Sequence, residues 1–212
     1  WSVTGSIQLR AAGLDPELWG PRFLRDLKLA SLIHDLGKAN DHFQEMIHAA
    51  RQGHRLLTQQ GYRHETVSYL LIKKKTELRQ WLPGGFQQDE EPTKSLEILL
   101  WAIAGHHRKF PPDEELEDGT GETLTVFHDH PDFHAVLKLG AARCGLGTPP
   151  KFSSSECWKI RGLPSRVIRS ELDQFASQSE QLFKRVVRES ALERRYLAVL
   201  KAALINADIA GS

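Results

Sequence analysis

An all-α fold is what this sequence predicts, and three observations carry the prediction. Apolar residues recur at three- and four-residue spacing over most of the chain, the pattern of helices with one buried face. Proline, serine, aspartate and asparagine stand where those runs begin, and glycine stands where they end. No polar/apolar alternation is long enough to read as a strand, and no repeat or low-complexity segment appears. At 212 residues, 40% hydrophobic and 26% charged, the chain has room for one good-sized domain with its own core, or two small ones.

Taken in order, Trp1 to Leu14 reads as a helix with Val3, Ile7 and Ala11 on one stripe and Gly13 near its end. The sequence opens inside this pattern and without a methionine, as expected of a domain cut from a longer protein. Asp15-Pro16-Glu17 starts a turn or short helix, and Pro21 suits the first turn of the next helix. There Phe23, Leu27, Ala30 and Ile33 keep helical spacing while Leu24, Leu32 and Leu36 widen the stripe, which predicts a buried helix with Gly37 as its C-terminal cap. A short helix follows, capped by Asn40 or Asp41, with Phe43, Met46 and Ile47 as its apolar side. Gly53 and Gly61 bracket a polar stretch.

Arg63 to Leu82 reads as one long helix, with Val67, Leu70, Leu71 and Leu78 inside and Lys73-Lys74-Lys75 on the solvated side. Pro83-Gly84-Gly85 ends it, and a polar acidic loop runs from Gln87 to Glu91. Pro92 opens a helix whose run Leu96 to Ala104 is apolar on nearly every side, which places it at the centre of the domain. It ends at Gly105-His106-His107. Arg108 to Gly121 reads as an exposed loop, Pro131 to Leu139 as a short helix and Gly145 to Ser155 as a second loop, so that 108–162 is expected to be a loop-rich insertion. The last third returns to helix, from Pro164 or Ser165 to Glu189, with Val167, Leu172, Phe175, Leu182 and Val186 alternating with charges. After a cap at Ser190, a final helix from Ala191 to Ala210 is lined by Leu197, Leu200, Leu204 and Ile205.

A formal net charge of +1 announces no global basic field, although a local basic face remains compatible with it. The apolar runs are far too short for a membrane span, and no signal-peptide pattern opens the chain. Cys144 and Cys157 form neither a CxxC pair nor a disulfide framework and read as ordinary thiols. A reduced, cytoplasmic protein with no membrane partner is the expectation.

Ten histidines are many for this length, and their placement is informative. The apolar run Leu29 to Ile33 ends on His34-Asp35, with Gly37 and Lys38 just behind. Two potential ligands at the end of a buried helix are costly unless something compensates them, and a cation does so. His64 starts another helix, His106-His107 ends the central one, and Asp208 lies near the end of the last. Ligands on helix ends can converge at one pole of a bundle. Adjacent residues on a helix do not share a face, so a His-Asp or His-His pair serves two directions and suits two metals. The donors are nitrogen and oxygen without thiolate, which favours manganese, iron, cobalt, nickel or magnesium over structural zinc. A carboxylate such as Asp35 can bridge two ions roughly 3.5–4 Å apart, an arrangement used in phosphoester hydrolysis.

The stretch LIHDLGKANDHFQ resembles the signature of the HD superfamily of metal-dependent phosphohydrolases. The fuller series is more specific: HDLGKA followed by FQ, RHE at His64, AGHH at His106-His107 and ADIAGS around Asp208. In that order the motifs resemble the HD nuclease domains of CRISPR interference systems, found in the helicase-nuclease of type I systems or fused to the type I-D large subunit. They span residues 33 to 212, while 108–162 carries no motif of the series. The resemblance implies an all-α bundle that holds one or two divalent ions and cleaves single-stranded DNA in antiviral defence, alongside CRISPR effector subunits or fused helicase or large-subunit domains. It implies that His34, Asp35 and Asp208 hold a first ion and that Asp35 bridges to a second held by His64, His106 and His107. Lys38 corresponds to the motif lysine, near the scissile phosphate or the attacking water. The family pattern also carries an earlier histidine, and no histidine precedes His34 in this sequence.

Each signal has a plainer reading. An isolated His-Asp pair caps helices by chance, His106-His107 could answer the helix dipole, and Asp208 could be an ordinary helix-end residue. It is the series in order that favours ligation. His42, His48 and His54 read as surface histidines. The cluster His128, His130 and His134 reads as a loop leading into a helix capped at Asp129 or His130 and stays outside the site. Arg108 and Lys109, directly behind the histidine pair, are candidates for phosphate binding, and loop Trp and Phe residues for base stacking. Two other functions fit the fold: a nucleotide or second-messenger phosphohydrolase, and a non-catalytic HD domain docking in a multisubunit complex.

Overall fold

The computed structural model describes residues 2–53, 64–86, 92–107, 124–152, 158–160, 177 and 190–211. Helix α1 (Ser2–Ala11) leads into α2 (Pro16–Ile33), a 3₁₀ turn (Leu36–Lys38) and α3 (Asp41–Arg51). Helices α4 (His64–Lys74) and α5 (Thr76–Trp81), a second 3₁₀ turn (Leu82–Gly85) and α6 (Pro92–Ala104) follow. Strand β1 (Leu124–Val126), helix α7 (Pro131–Cys144), strand β2 (Trp158–Ile160) and the long α8 (Ala191–Gly211) complete the described elements. The expected helix over 164–189 lies outside the described residues.

Helix α2 is the hub, packing against α1, α6, α7 and α8. Phe23, Leu27, Ala30 and Ile33 are all buried, as their spacing predicts. Asp15 caps the helix by accepting from the Glu17 N–H at 3.0 Å. Pro21 falls inside this single helix instead of opening a new one. The acceptor it deprives is the Glu17 carbonyl, on an exposed residue of the first turn where water can take the place of the lost donor. Helix α6 is enclosed as expected, with Ile98, Leu99, Ala102 and Ile103 at most 1% exposed.

Three expectations change. The buried face of α1 is not the Ile7–Ala11 stripe, since Ile7 is 61% exposed. It runs instead through Gly5 and Leu9, because glycine lets α1 approach α2 until a Cβ would stand 3.1 Å from the Phe23 ring. Gly13, at φ +70°, closes α1 as the Leu14 N–H reaches the Leu9 carbonyl at 2.9 Å. The long helix expected from Arg63 to Leu82 is two, because Lys75 adopts an extended conformation between α4 and α5. Finally, β1 and β2 pair antiparallel, with Thr125 opposite Lys159. Strands of three residues are too short to show alternation in sequence.

Within 108–162, α7 runs on to Cys144, past the expected end at Leu139, and is closed by Gly145 at φ +67°. Its Phe133 and Leu137 belong to the core, and Gly140 lies so close to Leu32 of α2 that a Cβ would collide with it. No helix among the described residues is long and apolar enough to cross a membrane.

Candidate metal centre

The site grows out of the end of α2. His34 still gives its backbone N–H to the Ala30 carbonyl at 2.9 Å, and the chain then turns through Asp35 into the 3₁₀ turn. Gly37 is not the left-handed cap that the sequence suggests, since the positive-φ glycines are Gly13, Gly53 and Gly145. Its missing side chain serves a close approach: a Cβ there would lie 2.0 Å from the His64 carbonyl oxygen and 2.6 Å from the Ser68 nitrogen. Ser68 fastens the contact. Its hydroxyl donates to the His34 carbonyl at 2.6 Å and accepts from the Gly37 N–H at 2.7 Å. Thus one serine of α4 bolts the His-Asp turn to the helix that carries His64.

Asn40, wholly buried, holds the other side of the turn. Its amide donates to the Gly37 carbonyl at 2.5 Å, and its oxygen caps α3 by accepting from the Phe43 N–H at 2.9 Å. The small ribbon is pinned to the same turn. The Phe127 N–H reaches the Ala39 carbonyl at 2.9 Å, and the Thr125 N–H reaches Asp41 Oδ1 at 3.0 Å.

The structure brings His34, Asp35, His64, His106, His107 and Asp208 together. Asp35 offers its two oxygens to different histidines: Oδ2 lies 3.5 Å from His34 Nε2, and Oδ1 lies 3.5 Å from His64 Nε2. Asp208, delivered by α8, places Oδ1 3.3 Å from His34 Nε2 and Oδ2 3.4 Å from His107 Nε2. Two groups have ligand atoms all within 4.8 Å of one another: His64, His106 and His107, and His34, His106 and Asp208. The first is the set that the resemblance implies for a second ion. In the other, His106 stands where Asp35 is expected, and Asp35 spans the two groups instead. Lys38 donates to Asp35 Oδ2 at 2.8 Å.

The donor atoms are prepared for a cation. His34 Nδ1–H donates to the Ser31 carbonyl at 2.9 Å and His106 Nδ1–H to the Ile103 carbonyl at 2.5 Å. Because a carbonyl only accepts, Nδ1 of each ring carries a proton; the neutral His106 ring is left with a bare Nε2, while His34 Nε2 lies 3.3 Å from Asp208 Oδ1. His106 Nε2, His64 Nε2 and Asp35 Oδ1 are buried without a hydrogen-bond partner. Buried polar atoms left this way are costly unless something compensates them, and a divalent ion would do so, so these residues fit one. Burial pushes the His106 imidazole down to about 4, aided by the neighbouring His107 and His34, and burial likewise lowers His64. Partial burial opposes ionisation of Asp208, but the His34 hydrogen bond and the potential of His34, His107 and His106 outweigh it and hold its carboxyl below the usual range. The neutral imidazoles and ionised carboxylate are the forms that bind metal.

Two contributors lie outside the expected ligand set, although one of them, Glu65, is the last residue of the RHE motif. Glu65, 1% exposed, lies with Oε2 3.5 Å from His64 Nδ1, the position of a carboxylate that orients a ligating ring. Ser68 is the other, and its signal is a serine one turn after His64 and Glu65 on a helix buried from Glu65 to Ile72. Arg108, Lys109 and His54 lie outside the described residues. His42 and His48 join neither ligand group, nor do His128, His130 and His134. His130 caps α7, its Nδ1 accepting from the Asp132 N–H at 3.2 Å.

The family described as Cas3, HD domain matches residues 17–212. A protein of Myxococcus xanthus (strain DK1622) described as "Putative CRISPR-associated nuclease/helicase Cas3" is 36% identical over 212 residues, covering 98% of this chain and 26% of the relative. The chain thus spans about a quarter of that relative's length. No solved structure matches it.

Proposed function

The chain belongs to the Cas3 HD-domain family, and on that footing we propose that it is a metal-dependent nuclease domain that cleaves single-stranded DNA by two-metal hydrolysis in CRISPR antiviral defence. The observation that carries the reading is the meeting of two donor groups, one of His64, His106 and His107 and the other of His34, His106 and Asp208, with His64 Nε2 and His106 Nε2 buried and unpartnered among them. In this reading His34, Asp35 and Asp208 would hold one cation and His64, His106 and His107 a second, with Asp35 lying between the two groups. Bound manganese, nickel, cobalt, iron or magnesium would supply the Lewis acidity that phosphodiester hydrolysis needs.

The chain's own groups do the remaining work. Lys38, a third exposed and fastened to Asp35, presents an ammonium to a phosphate oxygen at the edge of the site. Arg108 and Lys109, next in sequence to His107, add positive charge along the DNA path. Glu65 and the backbone carbonyls of Ser31 and Ile103 keep the rings oriented, so little reorganisation is left for the reaction. CRISPR effector subunits, or helicase or large-subunit domains of a longer protein, would bring the DNA to this domain in the cytoplasm.

Labelled single- and double-stranded DNA incubated with the full chain and manganese or nickel tests this. Cleavage of the single strand, lost with chelator and in Asp35→Ala, is expected. Absence of cleavage with every metal refutes the reading. Turnover of free nucleotides in place of DNA would make the domain a nucleotide phosphohydrolase.

A further inference from the structure

A cavity of about 590 Å³ opens beside the 3₁₀ turn, and Asp35 and Lys38 stand in its wall. It lies within the roughly 300–1,000 Å³ typical of sites for small organic ligands. Leu32 and Leu36 form one side, Phe127 another, and Phe133 and Val136 of α7 close it. The polar groups Gln44, His130 and Asp132 also line the cavity. None of the ligand histidines takes part, so this is a compartment adjoining the metal centre through Asp35, with its own chemistry.

That chemistry is sorted by charge. The one lysine in the wall is Lys38, held against Asp35 at 2.8 Å. Asp132 is a second carboxylate in the lining, Ser31, Gln44 and His130 add polar groups, and the rest of the lining is apolar. A phosphate is therefore favoured only at the Lys38 side, while the interior suits a flat, uncharged, aromatic group. The half-buried ring of Phe127 offers such a group the kind of contact on which unpaired bases stack, over a floor made by the core residue Phe133. Gln44 fits the same picture: its Nε2 donates to the Lys38 carbonyl at 3.0 Å, and its amide oxygen remains an acceptor for a base amino group.

Resting on the nuclease reading of the metal centre, we infer that this cavity is a nucleobase subsite that takes the base of a nucleotide flanking the scissile phosphate while Lys38 meets the phosphate. A base seated there fixes the backbone relative to Asp35. It also requires that base to be unpaired, which would make the subsite a source of preference for single strands.

The test steps one abasic residue through a short oligonucleotide cleaved by the manganese-loaded full chain. One position is expected to raise KM roughly tenfold, the scale of one stacked base, with kcat little changed. Val136→Trp, which fills the cavity from a position 37% exposed and outside the ligand set, should raise KM for the intact strand to the abasic value and erase the difference. Binding is read separately from the fluorescence of a single 2-aminopurine, expected to be quenched at that position in the unaltered protein and not in Val136→Trp. A flat abasic profile, or 2-aminopurine emission indifferent to Val136→Trp, overturns the inference. If no DNA is cut, the nuclease reading fails, and the fluorescence arm still decides whether the cavity takes a base.

Discussion

Replacing Ser68 with alanine removes one oxygen and strands two buried backbone groups, the Gly37 N–H and the His34 carbonyl. Ser68 is 0% exposed, so water cannot stand in for the hydroxyl. Each buried group left unpaired costs about 1–3 kcal/mol, which gives about 2–6 kcal/mol for the pair. Alanine nearly fills the vacated space, so a cavity penalty adds little. With a urea dependence of about 2 kcal/mol per molar, the unfolding midpoint should fall by about 1–3 M. Because the same hydroxyl joins the Asp35 turn to the helix bearing His64, manganese affinity should also weaken, by about 10- to 100-fold as for other groups that orient ligands. Urea unfolding followed by circular dichroism in chelator isolates the first effect, and calorimetric titration with manganese the second. A midpoint within about 0.3 M of the parent, with unchanged affinity, would refute the idea that this serine holds the site together.

Gly37→Ala should be harsher, since the new Cβ meets His64 backbone at 2.0 Å and backbone cannot swing aside. A loss above about 4 kcal/mol, or no cooperative melt, is expected, and a melting temperature near the parent's would contradict it. Tyr196→Phe removes the hydroxyl that donates to Asp26 Oδ2 at 2.6 Å, leaving that buried carboxylate to Arg25 and Arg22. A hydrogen bond to a charged group is worth about 1.5–3 kcal/mol, measurable by urea unfolding, and no change would mean that the arginines suffice. The metal-free protein should lose stability as pH falls from 6.5 toward about 4. His106 is neutral when folded and protonates more readily when unfolded, so the unfolded chain takes up protons first in that window and is favoured there. Replacing His106 with asparagine should flatten that limb of a stability–pH curve, and an unchanged slope would assign it elsewhere.

Much of this architecture is legible in the sequence. The stripe Phe23, Leu27, Ala30 and Ile33, the all-round apolar α6, and the caps at Asn40, His130 and Ser190 are local signals, and local signals survive folding. The motif series also names the residues that the structure brings together at the candidate metal centre, because such a series records which side chains meet even when geometry is unknown. What sequence conceals is close approach. Gly5 and Gly37 look like a weak helix position and a cap, yet both are thin places where another element presses in. The break at Lys75 is also invisible, since no proline or glycine marks it. The three-residue strands gain their position from the turn at Ala39 and Asn40, far away in sequence.

The placement of the ligands on helix ends has a mechanical consequence. His34 belongs to α2, His64 reaches it through Gly37 and Ser68, and Asp208 arrives on α8, itself tied to α2 by the Tyr196–Asp26 bond. His106 and His107 follow α6, which packs on the same hub. The candidate ligands are thus referred to α2 through three helices, α4, α6 and α8. Damage to one of these contacts should misplace the ligands on that helix, weakening the candidate site before the fold. Asp35 is the exception. It sits between both groups and is fastened to Lys38, so any shift of its turn is felt by His34, His64 and Lys38 at once. That position fits the bracing of the turn from both sides by buried hydrogen bonds from Ser68 and Asn40.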